Sequence, residues 1–108
     1  MRVSSVFSLC YLPCAITGQI ITDGSFGESK ALVGPGYIVE SELGKTVGSN
    51  LFYSFQEFSI QKDEVALFTG PRSIENILGR VTGDKISNID GEIISEIEGA
   101  SLFLVEVT

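Results

Sequence analysis

Gly48-Ser49-Asn50-Leu51-Phe52-Tyr53-Ser54-Phe55-Gln56-Glu57-Phe58 is the stretch on which the fold turns. It sets rings at Phe52, Phe55 and Phe58 in a chain that has no tryptophan and seven phenylalanines. Such a cluster is either buried or binds something, and the enrichment of Phe in protein interiors favours burial. In an extended segment Phe52 and Tyr53 point to opposite faces. The odd spacing of Phe52, Phe55 and Phe58 then requires a bend or bulge near Ser54 if all three are to point inward. Fully burying one Phe contributes about 1.5–3 kcal/mol, so three of them form a plug that matters in a small core.

Outward from this stretch the chain is punctuated as β structure. Turn residues recur at Asp23-Gly24, Gly34-Pro35-Gly36, Gly44, Gly70-Pro71, Gly83-Asp84, Asp90-Gly91 and Glu98-Gly99. Between them Ile20-Ile21, Tyr37-Ile38-Val39, Phe52 to Ile60, Val65 to Phe68, Ile93-Ile94 and Leu102 to Val107 carry the β-branched and aromatic residues of strands. One stretch, Ser73 to Val81, also reads as a helix, with Ile74, Ile77, Leu78 and Val81 at 3,4 spacing and Ser73 as N-cap. Gly79 inside it speaks equally for a buried turn or irregular strand. Ile89-Asp90-Gly91 echoes Ile97-Glu98-Gly99 eight positions later, which suggests a meander of short strands.

With 108 residues and 44% hydrophobic content the chain encloses one core, not two. Fourteen acidic against seven basic side chains give a net charge of −7, which argues against capture of nucleic acid or anionic lipid, both of which need a basic face. The first eighteen residues read as a secretory signal: Arg2 leads an apolar run from Val6 through Leu12 that is too short to span a bilayer. It has no A-x-A site, and cleavage after Gly18 leaves Ile16 at the −3 position. Such a segment is expected to be removed, the alternative being a buried N-terminal strand or helix of a cytosolic protein. Cys10 and Cys14 leave with the signal, so no disulfide framework is expected, and two thiols alone make an incomplete zinc site.

Catalytic chemistry has little to work with. The absence of histidine excludes the usual Ser-His-Asp and Cys-His arrangements. Glu40 with Glu42, and Glu96 with Glu98, could each share a strand face, and Asp63-Glu64 sits at a turn. Paired carboxylates can cleave glycosides or hold calcium, but alternating acids on strands are far more often a solvated face. Arg72 and Arg80 are too few for a phosphate site. No enzymatic activity, cofactor or metal is expected.

The aromatic stretch, followed by Asn76-Ile77-Leu78-Gly79-Arg80-Val81-Thr82-Gly83 and Ser87-Asn88-Ile89-Asp90-Gly91-Glu92-Ile93, resembles the N-terminal haemagglutination-activity domain of filamentous-haemagglutinin-like exoproteins, the cargo of two-partner secretion. The resemblance runs from about Gln19 to Leu104. It implies an all-β fold, a right-handed parallel β-helix of about three coils at roughly 25 residues each, with N-terminal capping strands for which Ile20 to Gly27 and Tyr37 to Glu42 are candidates. It also implies a mature chain beginning near Gln19-Ile20, so that residues 1–18 are the signal peptide and 19–108 the mature domain.

By the same resemblance the chain is a secretion-targeting domain. It crosses the periplasm of a Gram-negative envelope to the cell surface and is recognised by the periplasmic domains of an outer-membrane β-barrel transporter, without stable insertion in a membrane. Gly48, Asn50, Leu51, Phe52, Phe55, Phe58, Asn88 and Gly91 match the motifs and are the expected partner-binding residues, with Gln56 and Glu57 as further polar members. Asn50 and Asn88 also have a plain local reading, since Asn caps turns. Family exoproteins run on past the strand matching Ala100 to Leu104, commonly with Asn where Ser101 stands, so the chain is expected to be a truncated product with a self-associating C-terminal edge. The alternatives are a small β-helical carbohydrate-binding or carbohydrate-cleaving module, and a remnant without function.

Overall fold

The protein is described by a computed structural model over residues 18–107. Apart from Gly18, the expected signal segment with Cys10 and Cys14 lies outside the described residues. The chain is all-β. Its strands are β1 (Gln19–Thr22), β2 (Gly36–Glu40), β3 (Lys45–Val47), β4 (Asn50–Ser59), β5 (Val65–Thr69), β6 (Asn76–Val81), β7 (Glu92–Ser95) and β8 (Ser101–Glu106), with one 3₁₀ turn at Ser41–Leu43.

From β4 onward successive strands alternate between two sheets. The three-stranded sheet runs β2-β5-β7 and the larger one β1-β4-β6-β8, with β3 also on β4. All pairings within β2-β5-β7 and within β4-β6-β8 are parallel. Each strand meets its partner one repeat later: Gly36 opposite Val65, Asn50 opposite Asn76, Val65 opposite Glu92, Asn76 opposite Ser101. These offsets of 25 to 29 positions supersede the eight-residue echo.

Period-two burial explains why these segments are strands. Tyr37 and Val39 of β2 and Ala66 and Phe68 of β5 turn inward, facing Leu51, Tyr53 and Phe55 of β4 and Ile77 and Val81 of β6. Burying one face of each sheet against the other stabilises both, at roughly 25 cal/mol per Å² of apolar surface. Ile20, Ile60, Ile74 and Ile97 close the core at its ends and turns.

Two expectations are corrected here. Ser73 to Val81 is not helical: Asn76–Val81 is β6, held between β4 and β8. The 3,4 spacing arose because Ile74 is buried in the preceding turn, where its amide donates to the Pro71 carbonyl at 3.2 Å, while Leu78 points outward beside Phe52. Two-sided backbone pairing outweighs the local periodicity. Tyr37 to Glu42, expected to stand outside the repeating strands, instead supplies β2, which is in parallel register with β5. The antiparallel flanking strands are β1 and β3, both on β4, and β3 leaves no trace in the sequence because Lys45-Thr46-Val47 is short and exposed along its length.

Candidate functional site

β4 is the axis of the candidate site, and its ten residues contain most of the motif. A tight two-residue turn at Gly48-Ser49 joins it to β3, and Gly48 takes φ +63°, a conformation that favours glycine. Along the strand Leu51, Tyr53 and Phe55 face inward, and after a change of phase Phe58 and Ile60 do so. The phase changes at a bulge. β1 pairs Ile21 with Glu57 and then Thr22 with Phe55, leaving Gln56 as the extra residue.

The inward rings are therefore not the three expected. Tyr53 takes the place of Phe52, and the bulge sits at Gln56 rather than near Ser54. Tyr53, Phe55 and Phe58 join Phe68 of β5 in a four-ring cluster with centroids 5.0 to 6.2 Å apart, mixing stacked and edge-on contacts. The Tyr53 hydroxyl reaches the Glu40 carbonyl at 3.0 Å, which gives a buried polar group its partner. Burial, with Glu42 and Glu40 nearby, pushes its pKa well up. Gly79 in β6 makes room for this cluster, since a Cβ there would come 3.1 Å from the Phe55 ring and 2.9 Å from Leu104. Phe52 lies half-buried on the outward face, in one row with Leu78 and the half-exposed Phe103.

Asn50 begins the strand, and its side-chain carbonyl accepts from the Asn76 amide at 3.0 Å. Ser101 is next in that row. Extending the row with Ser101→Asn is expected to raise stability by about 0.5–1 kcal/mol, the net worth of one more hydrogen bond. A thermal or urea melt of the variant checks this, and Asn50→Ala should cancel the gain if the row acts as a unit.

Asn88 and Gly91 lie at the opposite end of β4. The Asn88 amide donates to Ser59 Oγ at 3.2 Å, its carbonyl accepts from Ile60, and its side chain is exposed. Gly91 packs against the carbonyls of Gln61 and Glu64, where a Cβ would not fit. A ten-residue strand spans roughly 30 Å. The motif residues thus form two groups, Gly48, Asn50, Leu51 and Phe52 at one end and Phe58, Asn88 and Gly91 at the other, with Phe55 buried between.

Two polar clusters were not singled out in the sequence. Asp23 accepts from Ser54 Oγ at 2.6 Å, Thr82 Oγ1 at 2.7 Å and the Ser25 amide at 2.9 Å, while Arg80 Nε donates to the same Ser54 hydroxyl at 2.7 Å. Burial works against the Asp23 charge, but the bonds from Ser54, Thr82 and Ser25 prevail and hold its pKa well below the ordinary value. This cluster fastens the turn after β1 across β4 and β6 and explains why Ser54, which faces outward, is buried. In the sequence Asp23-Gly24 reads only as a turn.

The second cluster is at the start of the described chain. Glu64, 8% exposed, accepts from the amides of Gly18 and Gln61 and lies 3.1 Å from the Tyr37 hydroxyl, whose other neighbour is the Gly18 carbonyl at 2.8 Å. Burial and Glu64 push the Tyr37 pKa up to about 12. No group of three or more potential metal ligands occurs among the described residues.

The domain is all-β, and its two parallel ladders repeat at offsets of 25 to 29 residues. The sequence model of the TPS secretion domain matches residues 18–106, and the chain belongs to that family, the two-partner secretion or haemagglutination-activity domains. No curated protein and no solved structure matches the chain. Domains of this family are targeting rather than catalytic units: they direct a secreted exoprotein through the periplasm and interact with an outer-membrane transporter partner. Among the described residues no helix is long and apolar enough to cross a membrane.

Proposed function

We propose that residues 19–108 are the secretion-targeting domain of a filamentous-haemagglutinin-like exoprotein of the adhesin class, exported behind a signal peptide and recognised by a dedicated outer-membrane β-barrel transporter. The family match carries this reading. The alternation of parallel strands at 25 to 29 residues supports a β-helical stack of about three turns, right-handed as the resemblance implies, with β1 and β3 as capping strands.

The recognition residues we assign are Gly48, Asn50, Leu51, Phe52, Phe55, Phe58, Asn88 and Gly91. Leu51, Phe55 and Phe58 are fully buried in the folded domain, so a partner could reach them only before folding is complete. The two ends of β4 also lie too far apart for one compact folded epitope. Both points favour recognition of an extended or loosely folded chain.

The test is retention of the denatured mature chain on the periplasmic domains of a cognate transporter. Asn50→Ala is expected to weaken retention more than Lys62→Ala. Retention no greater than that of an unrelated acidic chain rejects the reading, and sugar binding with a carboxylate-dependent pH profile favours the carbohydrate module instead.

Self-association through β8 is part of the same proposal. Phe103 and Val105 are half-exposed or more, and one edge of β8 is unpaired among the described residues. Val105 stands in register beside Arg80, so a lysine there would set two cations side by side, whereas glutamate gains a partner. Val105→Glu is expected to reduce association in sedimentation without loss of fold. Unchanged association would acquit this edge.

A further inference from the structure

Glu64 is a buried carboxylate served, among the described residues, by neutral donors alone: the amides of Gly18 and Gln61, and the Tyr37 hydroxyl, whose one proton it shares with the Gly18 carbonyl. Hydrogen bonds offset part of the cost of burying such a charge, and an opposite charge beside it would offset more. One of its donors is the nitrogen of Gly18, 3.0 Å from Oε1. Cleavage of the bond between Thr17 and Gly18 would turn that nitrogen from an amide into an ammonium, in place and against the carboxylate.

The surroundings fit a free glycine terminus. Position 18 accepts no side chain, because a Cβ would collide with the Ser59 carbonyl, Glu64 Oε1 and Ile60. The Gly18 carbonyl is held at 2.8 Å by the Tyr37 hydroxyl. Beside it opens a cleft of about 390 Å³ lined by Gly18, Leu32, Gly34, Pro35, Tyr37 and Glu64, among others, so the terminus is reachable from solvent. The sequence agrees. Cutting after Gly18 puts Ile16 at −3, but cutting one residue earlier puts the small Ala15 at −3, with Thr17 at −1.

We propose that the chain is processed between Thr17 and Gly18, and that Glu64 with Tyr37 forms a socket that captures the new α-ammonium and locks β1 onto the domain. Hydrolysis of that peptide bond consumes one water, leaving the carboxylate on Thr17 and the amine on Gly18. The proposal rests on the secretion reading for the removal of the leader. It replaces the expected boundary after Gly18 with one that the fold itself uses.

The full-length chain is exported from a Gram-negative host with its own leader, and the product is read by intact mass and sequential N-terminal degradation. Glycine in the first cycle and glutamine in the second is the expected result. A product beginning at Gln19 or later overturns the socket but leaves the secretion reading standing, whereas an uncut product retaining Cys10 and Cys14 overturns both. On the processed protein, the α-amine of the Glu64→Gln variant is expected to react with an amine-specific acylating reagent about tenfold faster near neutral pH, since an adjacent carboxylate raises an amine pKa by about one unit or more. Equal rates in parent and variant would overturn the ion pair. Should Glu64→Gln fail to fold, the pH dependence of labelling in the unmodified product still decides: an α-amine titrating at its ordinary value of about 8 overturns the pair.

Discussion

Phe55→Ala should lower the unfolding free energy by about 4 kcal/mol, whereas Phe52→Ala should lower it by only about 1 kcal/mol, although the two rings are three residues apart on one strand. Phe55 is fully buried, 5.0 Å from the Phe58 ring and 5.6 Å from Tyr53, and its removal leaves a cavity that neighbouring backbone cannot close. Phe52 is half-buried on the outward face and loses part of an apolar row. Set against a total of about 5–13 kcal/mol for a domain of this size, the first loss is near the limit of tolerance and the second is not. Urea unfolding of both variants checks the contrast. Equal losses would mean that Phe52 and not Tyr53 is the inward ring and that the bulge lies near Ser54 after all. Gly79→Ala belongs to the same test: it should destabilise although it adds only a methyl group, because that methyl meets the Phe55 ring and Leu104.

The residues that revealed this fold and those that hid it differ for physical reasons. Alternating β-branched and aromatic runs between glycine-containing turns marked six of the strands within a residue or two, because period-two burial leaves a direct trace in composition. β3 left none, being exposed along its length. Ser73 to Val81 misled because Ile74 and Leu78 belong to different environments that happen to lie at helical spacing from Ile77 and Val81. The bulge could be inferred from the odd ring spacing but not placed, since its position depends on which residue β1 skips, a fact of pairing between strands far apart in sequence.

The motif residues were legible as a set through the resemblance. That they divide between the two ends of β4 was not, because only the register shows Asn88 beside Ser59 and Gly91 under Glu64. The polar clusters around Asp23 and Glu64 were the least visible. Their members are bonded across 19 to 59 positions of the chain or sit in ordinary turn sequences, and single serines, threonines and acids carry no periodic signature.

Asp23→Ala is expected to cost about 2 kcal/mol at neutral pH, in the range for hydrogen bonds to a charged acceptor, and the loss should itself depend on pH. Three groups donate to this carboxylate in the fold, from Ser54, Thr82 and Ser25, and its folded pKa lies below the ordinary 3.8. A carboxylate with a depressed folded pKa contributes stability that is fully present above its unfolded value and is lost as pH falls through that value toward the folded one. The gap between parent and variant should therefore be constant from neutrality down to about pH 5 and shrink as the pH falls to about 2. Chemical unfolding across that range measures it. A gap that stays constant to pH 2 would show that Asp23 acts by packing alone, and one that widens would reverse the assignment. The consequence is local as well as global. Asp23 binds the turn after β1 to Ser54 and Thr82, and Arg80 reaches the Ser25 hydroxyl at 3.2 Å and lies 5.8 Å from the Phe26 ring. Removing the carboxylate should thus free residues 23–26 before it loosens the core. Protection from hydrogen exchange at the residue 23 amide, which donates to the Ser54 carbonyl at 3.0 Å, should be lost in an Asp23→Asn variant under conditions where Ile77 and Val81 stay protected.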